Sequence, residues 1–159
     1  MSDSASIDQH QDSIHIAADP GDVYDVVSDV TRTGEWSPVC KECWWVDGDG
    51  PARGARFGGR QEVPGRTWET ESVVTEADPG NVFAWQVGGR YVEWSYRMQA
   101  VQGGTRLTET WSLNDATKQM FAEKYADRAD EVLDARRQEA LTGIPETLAR
   151  IKDIVEREV

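Results

Sequence analysis

At 159 residues and 17.8 kDa the chain can bury its own core without metal or disulfide staples, so one domain over residues 13–159 is expected, behind a tail at residues 1–12. Its 29 acidic residues against 17 basic give a net charge of -12, a balance that repels phosphate backbones and anionic surfaces and argues against a nucleic-acid partner. No apolar run approaches the roughly 20 residues that span a bilayer, and the N-terminus has neither the basic flank nor the apolar centre of a signal peptide, which makes a cytoplasmic location the expectation.

Residues 1–12 are rich in Ser, Asp and Gln without periodicity, and read as a disordered or loosely attached segment. Residues 13–18 read as a first strand with Ile14 and Ile16 on one face; His15, on the other, reads as a solvated or half-buried strand residue rather than a catalytic one. Asp19-Pro20 followed by Asp22 is a helix start: Asp caps free amides, Pro fits the first turn and a second acid suits the positive end of the dipole. Val23, Val26, Val27 and Val30 supply that helix with an apolar face, and a second short helix or turn over residues 31–36 is closed by Pro38.

Cys40 and Cys43, the only cysteines, are spaced C-x-x-C. A redox pair wants a helix N-terminus, but Trp44, Trp45 and Val46 follow as a strand; a zinc site wants four ligands, and only His10 and His15 could add imidazole. The pair therefore reads as two ordinary thiols, and neither a metal nor a cofactor is expected.

Turn signals cut the centre of the chain into strands at 40–46, 55–62, 66–77, 81–87, 91–101 and 105–113. The links Asp47-Gly48-Asp49-Gly50-Pro51, Pro64-Gly65, Asp78-Pro79-Gly80, Gly88-Gly89 and Gly103-Gly104 are short enough to require antiparallel neighbours. Alternation turns Trp68, Thr70, Ser72 and Val74 inward, then Phe83, Trp85 and Val87, then Trp94, Tyr96 and Met98, and finally Leu107, Glu109 and Trp111. Glu109 is the one acid this assignment places among aromatic side chains.

Residues 115–130 are polar and helix-prone, with Met120, Phe121 and Tyr125 as a weak apolar side, and read as a lead-in helix or lid. From 130 to 159, Leu133, Arg137, Leu141, Ile144, Leu148, Ile151 and Val155 recur at steps of three and four, a single apolar stripe on a long helix. Pro145 predicts a kink near residues 140–141. The class is α+β: a curved antiparallel sheet of about seven strands, two short helices after the first strand, and a long C-terminal helix gripped by the sheet.

This order resembles the helix-grip fold of the START-like (SRPBCC) superfamily, in particular its polyketide cyclase/dehydrase and lipid-transport branch. The resemblance rests on Ala18-Asp19-Pro20, Glu35-Trp36-Ser37-Pro38, Gly54-Ala55-Arg56-Phe57, Trp68 with Val74, Asp78-Pro79-Gly80, Phe83-Ala84-Trp85, Gly104-Thr105, and Gly143 with Leu148 and Ile151-Lys152. It implies a cavity between the sheet and the long helix, with Trp36, Phe57, Trp68, Thr70, Ser72, Phe83, Trp85, Trp94, Tyr96, Met98, Glu109, Trp111, Arg137, Leu141 and Ile144 as candidate lining. The partner it implies is a hydrophobic small molecule, lipid or polyketide-like, held without turnover by a monomer or homodimer. The alternative is a polyketide aromatase/cyclase or dehydratase, for which Glu109 and Tyr96 are the candidate catalytic groups. Arg136 and Arg137 read as a solvated helix flank rather than an anion clamp.

Overall fold

A computed structural model describes residues 8–48 and 50–159. The strands are β1 (Gln9–Ile16), β2 (Cys40–Asp47), β3 (Arg56–Val63), β4 (Arg66–Asp78), β5 (Val82–Val87), β6 (Glu93–Val101) and β7 (Gly104–Ser112). They form one antiparallel sheet in the order β1-β7-β6-β5-β4-β3-β2, so the six later strands are a meander and β1 pairs with the last of them. The chain reaches the far edge through α1 (Pro20–Val27) and a 3-10 turn (Val30–Glu35), then returns strand by strand. Two further helices follow, α2 (Asp115–Tyr125) and α3 (Ala129–Glu158), joined by a 3-10 turn at Ala126–Arg128.

Local chemistry accounts for these boundaries. Asp19 precedes Pro20 at the start of α1, the Asp29 carboxylate accepts from the Thr31 amide at the 3-10 turn, and Asn114 Oδ1 accepts from the Thr117 amide at 2.9 Å to cap α2. At the start of β7, Gly104 has φ 149°, and a Cβ there would stand 2.1 Å from the Ile16 carbonyl oxygen, so only glycine lets β7 close on the end of β1. The first strand begins earlier than expected. Residues 9–12 belong to β1 and pair with 109–112 of β7, an edge strand whose polar side chains face water and so carry no alternation to read. The remainder of the expected tail, residues 1–7, lies outside the described residues.

The core forms where α1 and α3 lie against one face of the sheet. Val23, Val27, Ile16, Leu107, Ile144, Leu148, Ile151 and Val155 are all at most 2 % exposed, and Met98 is buried among them. On α3 the buried set steps through Leu133, Arg137, Ala140, Ile144, Thr147, Leu148, Ile151 and Val155. Leu141 is half-buried instead. At about 100° per residue it falls at the rim of a stripe whose centre passes between Ala140 and Ile144. The helix runs unbroken through Pro145, whose missing amide leaves the Leu141 carbonyl without its helical donor.

Candidate functional site

Between the inner face of the sheet, the 3-10 turn after α1, and helices α2 and α3 lies a cavity of about 410 Å³. That volume falls within the usual range for small-molecule sites. Its floor is built by strand alternation: Phe57 on β3, Ser72 on β4, Phe83 and Trp85 on β5, Trp94 and Tyr96 on β6, and Glu109 and Trp111 on β7. The rings pack as one cluster. Trp85 stacks on Trp94 with planes 11° apart, and lies 5.5 Å from Tyr96, 5.6 Å from Phe83 and 6.0 Å from Phe57 between ring centroids. Phe83 is 1 % exposed and Trp111 2 %, whereas Trp85 and Trp94, which line the same cavity, are only half-buried.

The polar groups of the floor are few and short of partners. Glu109 is 4 % exposed, and its Oε1 makes no hydrogen bond. Burial alone pushes its carboxyl well above the usual carboxylate range, so the neutral acid is favoured. Tyr96 stands directly across the strand pair from Glu109, and its hydroxyl is pushed well up by burial and then by the neighbouring carboxyl. Trp36, held by the end of the 3-10 turn and 1 % exposed, points its indole Nε1 toward the Tyr96 hydroxyl, a contact that partly offsets the rise of that hydroxyl but falls short of hydrogen-bond geometry. Buried donors and acceptors left unpaired cost about 1–3 kcal/mol each. Here several of them surround one space.

The other end of the cavity is cationic. Arg66, at the first residue of β4, places its guanidinium carbon 4.2 Å from the Trp68 ring centroid, and Arg136 of α3 places its own 4.7 Å from the same ring and 5.7 Å from Phe121 of α2. Glu139, one turn along α3, accepts from Arg66 Nη2 at 3.1 Å and lies 3.9 Å from Arg136 Nη1. Helix α2 contributes Thr117, Met120, Phe121, Lys124 and Tyr125 to this end, packed on α3 as a cover. The residue that joins α2 to the next turn, Ala126, holds φ 52° and ψ -120°, a conformation that L residues rarely adopt.

Cys40 and Cys43 both line the cavity, with their sulfurs 2.9 Å apart. Residues three apart on a regular strand face opposite ways. A register shift between Cys40 and Glu42 absorbs one residue and turns both thiols to the same side. The contact divides their acidities: the Cys43 thiol pushes Cys40 up, while the bond from Cys40 draws Cys43 down. Among the described residues, no group of three or more His, Cys, Asp or Glu side chains is placed to hold a metal ion.

Most of the residues expected from sequence meet at this cavity: Trp36, Phe57, Trp68, Thr70, Ser72, Phe83, Trp85, Trp94, Tyr96, Glu109, Trp111 and Ile144 all line it. Three do not. Met98 is spent on the core beneath α1, and Leu141 is turned aside by the phase of α3. Arg137 is buried at the opposite flank of α3, where it donates to Asp134 at 2.7 Å and to Asp8 at 3.2 Å, tying the start of the described chain to the helix. Neither Arg136 nor Arg137 is a solvated flank: one is half-buried over Trp68 and the other is in the interior. Alternation missed Arg66 at the first residue of β4, and the apolar stripe missed Arg136, Glu139, Ala140, Gly143 and Thr147, because α3 presents to the cavity not its oiliest stripe but the flank beside it. The available signal was the small residues Ala140, Gly143 and Thr147 on one side of the helix, which leave space rather than fill it.

Residues 9–143 match the family described as polyketide cyclase / dehydrase and lipid transport. The chain belongs to this family. It is similar to the polyketide-cyclase-like protein Cgl2372 from Corynebacterium glutamicum, at 48% identity over 94% of this chain and 92% of that one, with a TM-score of 0.69. Two more distant structures share the fold, each with a TM-score of 0.69 and 14% identity. One is protein NE0264 from Nitrosomonas europaea, covering 95% of this chain and 96% of that one. The other is the di-domain ARO/CYC protein StfQ from the steffimycin biosynthetic pathway, of whose chain 51% is covered by 94% of this one. No curated protein matches the chain. Among the described residues no helix is long and apolar enough to cross a membrane, which leaves strand-built spans untouched.

Proposed function

We propose that this family member binds and carries one hydrophobic, aromatic small molecule, lipid- or polyketide-like, in the cavity between the sheet and α3. The observation that carries the reading is an aromatic-lined space of about 410 Å³ that ends on a buried acid with an unpartnered Oε1. The neutral Glu109 carboxyl can donate one hydrogen bond and accept another, and Trp36 Nε1 adds a donor, so a ligand carbonyl or hydroxyl seated there would satisfy groups the protein leaves open. Apolar walls with a few fixed polar groups are the usual composition of such sites. The carrier is read as cytoplasmic, and as a monomer or a homodimer pairing through an edge strand, β1 or β2.

One observation favours a second reading, an aromatase/cyclase or dehydratase. A carboxyl pushed up by burial is a usable proton donor near neutral pH, and Tyr96 stands beside it. The fold likeness to StfQ agrees with that reading without deciding it. Native mass spectrometry of the protein as purified, followed by Glu109→Gln, separates the two. A carrier should retain a bound compound and lose affinity in the variant, with no turnover to measure. An enzyme should convert a polyketide-like substrate and lose on the order of 100-fold in rate while still binding it.

A further inference from the structure

The cationic end of the cavity is out of keeping with its surroundings. In a chain of net charge -12, the charged side chains lining the cavity are Arg66, Lys124 and Arg136 against Glu69 and Glu139, with the floor acid Glu109 favoured neutral. Arg66 and Arg136 share one indole and one carboxylate: both guanidiniums lie on Trp68, and both approach the same Oε2 of Glu139, at 3.1 Å and 3.9 Å. A single carboxylate cannot neutralise two guanidiniums. Burial, and then the charge of Arg66, push the Arg136 guanidinium down, with Glu139 opposing them. Two donors there, Arg66 Nε and Arg136 Nη1, are buried and make no hydrogen bond.

From this arrangement we infer that Arg66 and Arg136 form a clamp for the carboxylate of the ligand, so that the carried molecule is an aromatic or polycyclic acid bound with its acid group at the α2 end and its uncharged oxygen on Glu109. The inference rests on the cavity being a ligand site. Charge count selects the anion: with Glu139 in place the two guanidiniums retain one net positive charge, which a carboxylate monoanion balances and a phosphate dianion would exceed. Trp68 holds the two guanidinium planes through its face, so both can meet the carboxylate with little loss of side-chain freedom. The helix cover α2 lays Phe121 over Arg136, 5.7 Å from its guanidinium carbon, which shields part of that donor from water.

The test uses the full chain and a matched pair of probes, anthracene-2-carboxylate and its uncharged primary amide, titrated by tryptophan fluorescence at low salt. The carboxylate should bind at least about tenfold more tightly than the amide, as charge-assisted bonds to a guanidinium exceed neutral ones. Arg136→Met, which keeps an unbranched stem on Trp68, should bring the two affinities together by weakening the acid and sparing the amide; Arg136→Lys should restore part of the preference. Equal affinity of both probes for the unaltered protein overturns the clamp while leaving the cavity a binding site. A preference for the acid that survives Arg136→Met and Arg66→Met alike also overturns it. Failure of both probes to bind removes the underlying reading along with the clamp.

Discussion

The two ends of the cavity are built on opposite principles. At the floor, Phe83, Trp111, Tyr96 and Glu109 are at most 4 % exposed, and the polar atoms are held neutral and dry. At the mouth, Arg66 and Arg136 are ion-paired with Glu139, their side chains are 19–37% exposed, and a separate helix covers them. The floor is therefore an extension of the fold's core, whereas the mouth is an addition that the fold does not need. Substitutions at the floor should cost stability first; those at the mouth should alter binding and leave stability nearly unchanged.

Phe83→Ala gives the largest contrast. Removing a ring that is 1 % exposed should cost about 3–5 kcal/mol in urea unfolding, while Trp68→Ala at the mouth should cost less than half of that. Comparable losses would mean that the mouth is core after all. The neighbouring arginines of α3 make a second pair. Arg137→Met should lose about 1–2 kcal/mol, because Asp8 and Asp134 lose a buried partner but remain partly in water; Arg136→Met should stay within roughly 0.5 kcal/mol. A reversal of that order would place the clamp on the wrong arginine.

Glu109→Gln sharpens the comparison through pH. The folded-state carboxyl is raised, so its contribution is fully present below the unfolded pKa and is lost as pH rises toward the folded one. Relative to the unaltered protein the Gln variant should therefore gain stability with rising pH, by up to about 1.4 kcal/mol per pH unit across that window. Urea midpoints at pH 5 and pH 7 that differ between the two proteins by a constant amount would show that Glu109 is not desolvated. The smallest expected effect is at the cover. Ala126→Gly should relieve the positive-φ strain and stabilise by roughly 1 kcal/mol, with no change in the pH profile.

Much of the floor was legible because strand alternation has a fixed period and the turns were punctuated by glycine pairs. Phe83, Trp85, Trp94, Tyr96, Glu109 and Trp111 follow from counting by two between Asp78-Pro79-Gly80 and Leu113. The mouth was not legible, for reasons particular to its residues. Arg66 opens its strand beside Gly65, where alternation has only begun. Arg136, Glu139 and Gly143 sit on a helix flank whose meaning depends on the crossing of α3 over the sheet, which no local pattern encodes. The paired thiols depended on a bulge at Lys41, and the early start of β1 on a partner nearly a hundred residues away. Leu141 shows the limit of a periodic stripe: it satisfies the spacing, yet Ala140 takes the inward place.

The central claim is that the space over Trp85 and Glu109 holds one ligand. A tryptophan fluorescence titration with anthracene-2-carboxamide, run on the unaltered protein and on Gly143→Leu, tests it most directly. Gly143 lines the cavity, and a Cβ added there meets nothing closer than Pro38 Cγ at 3.6 Å, so a leucine can enter the space without disturbing the helix. The account predicts saturable quenching at one equivalent, lost in the variant at an undiminished thermal midpoint. Quenching that is not saturable, or that is identical in both proteins, would contradict it.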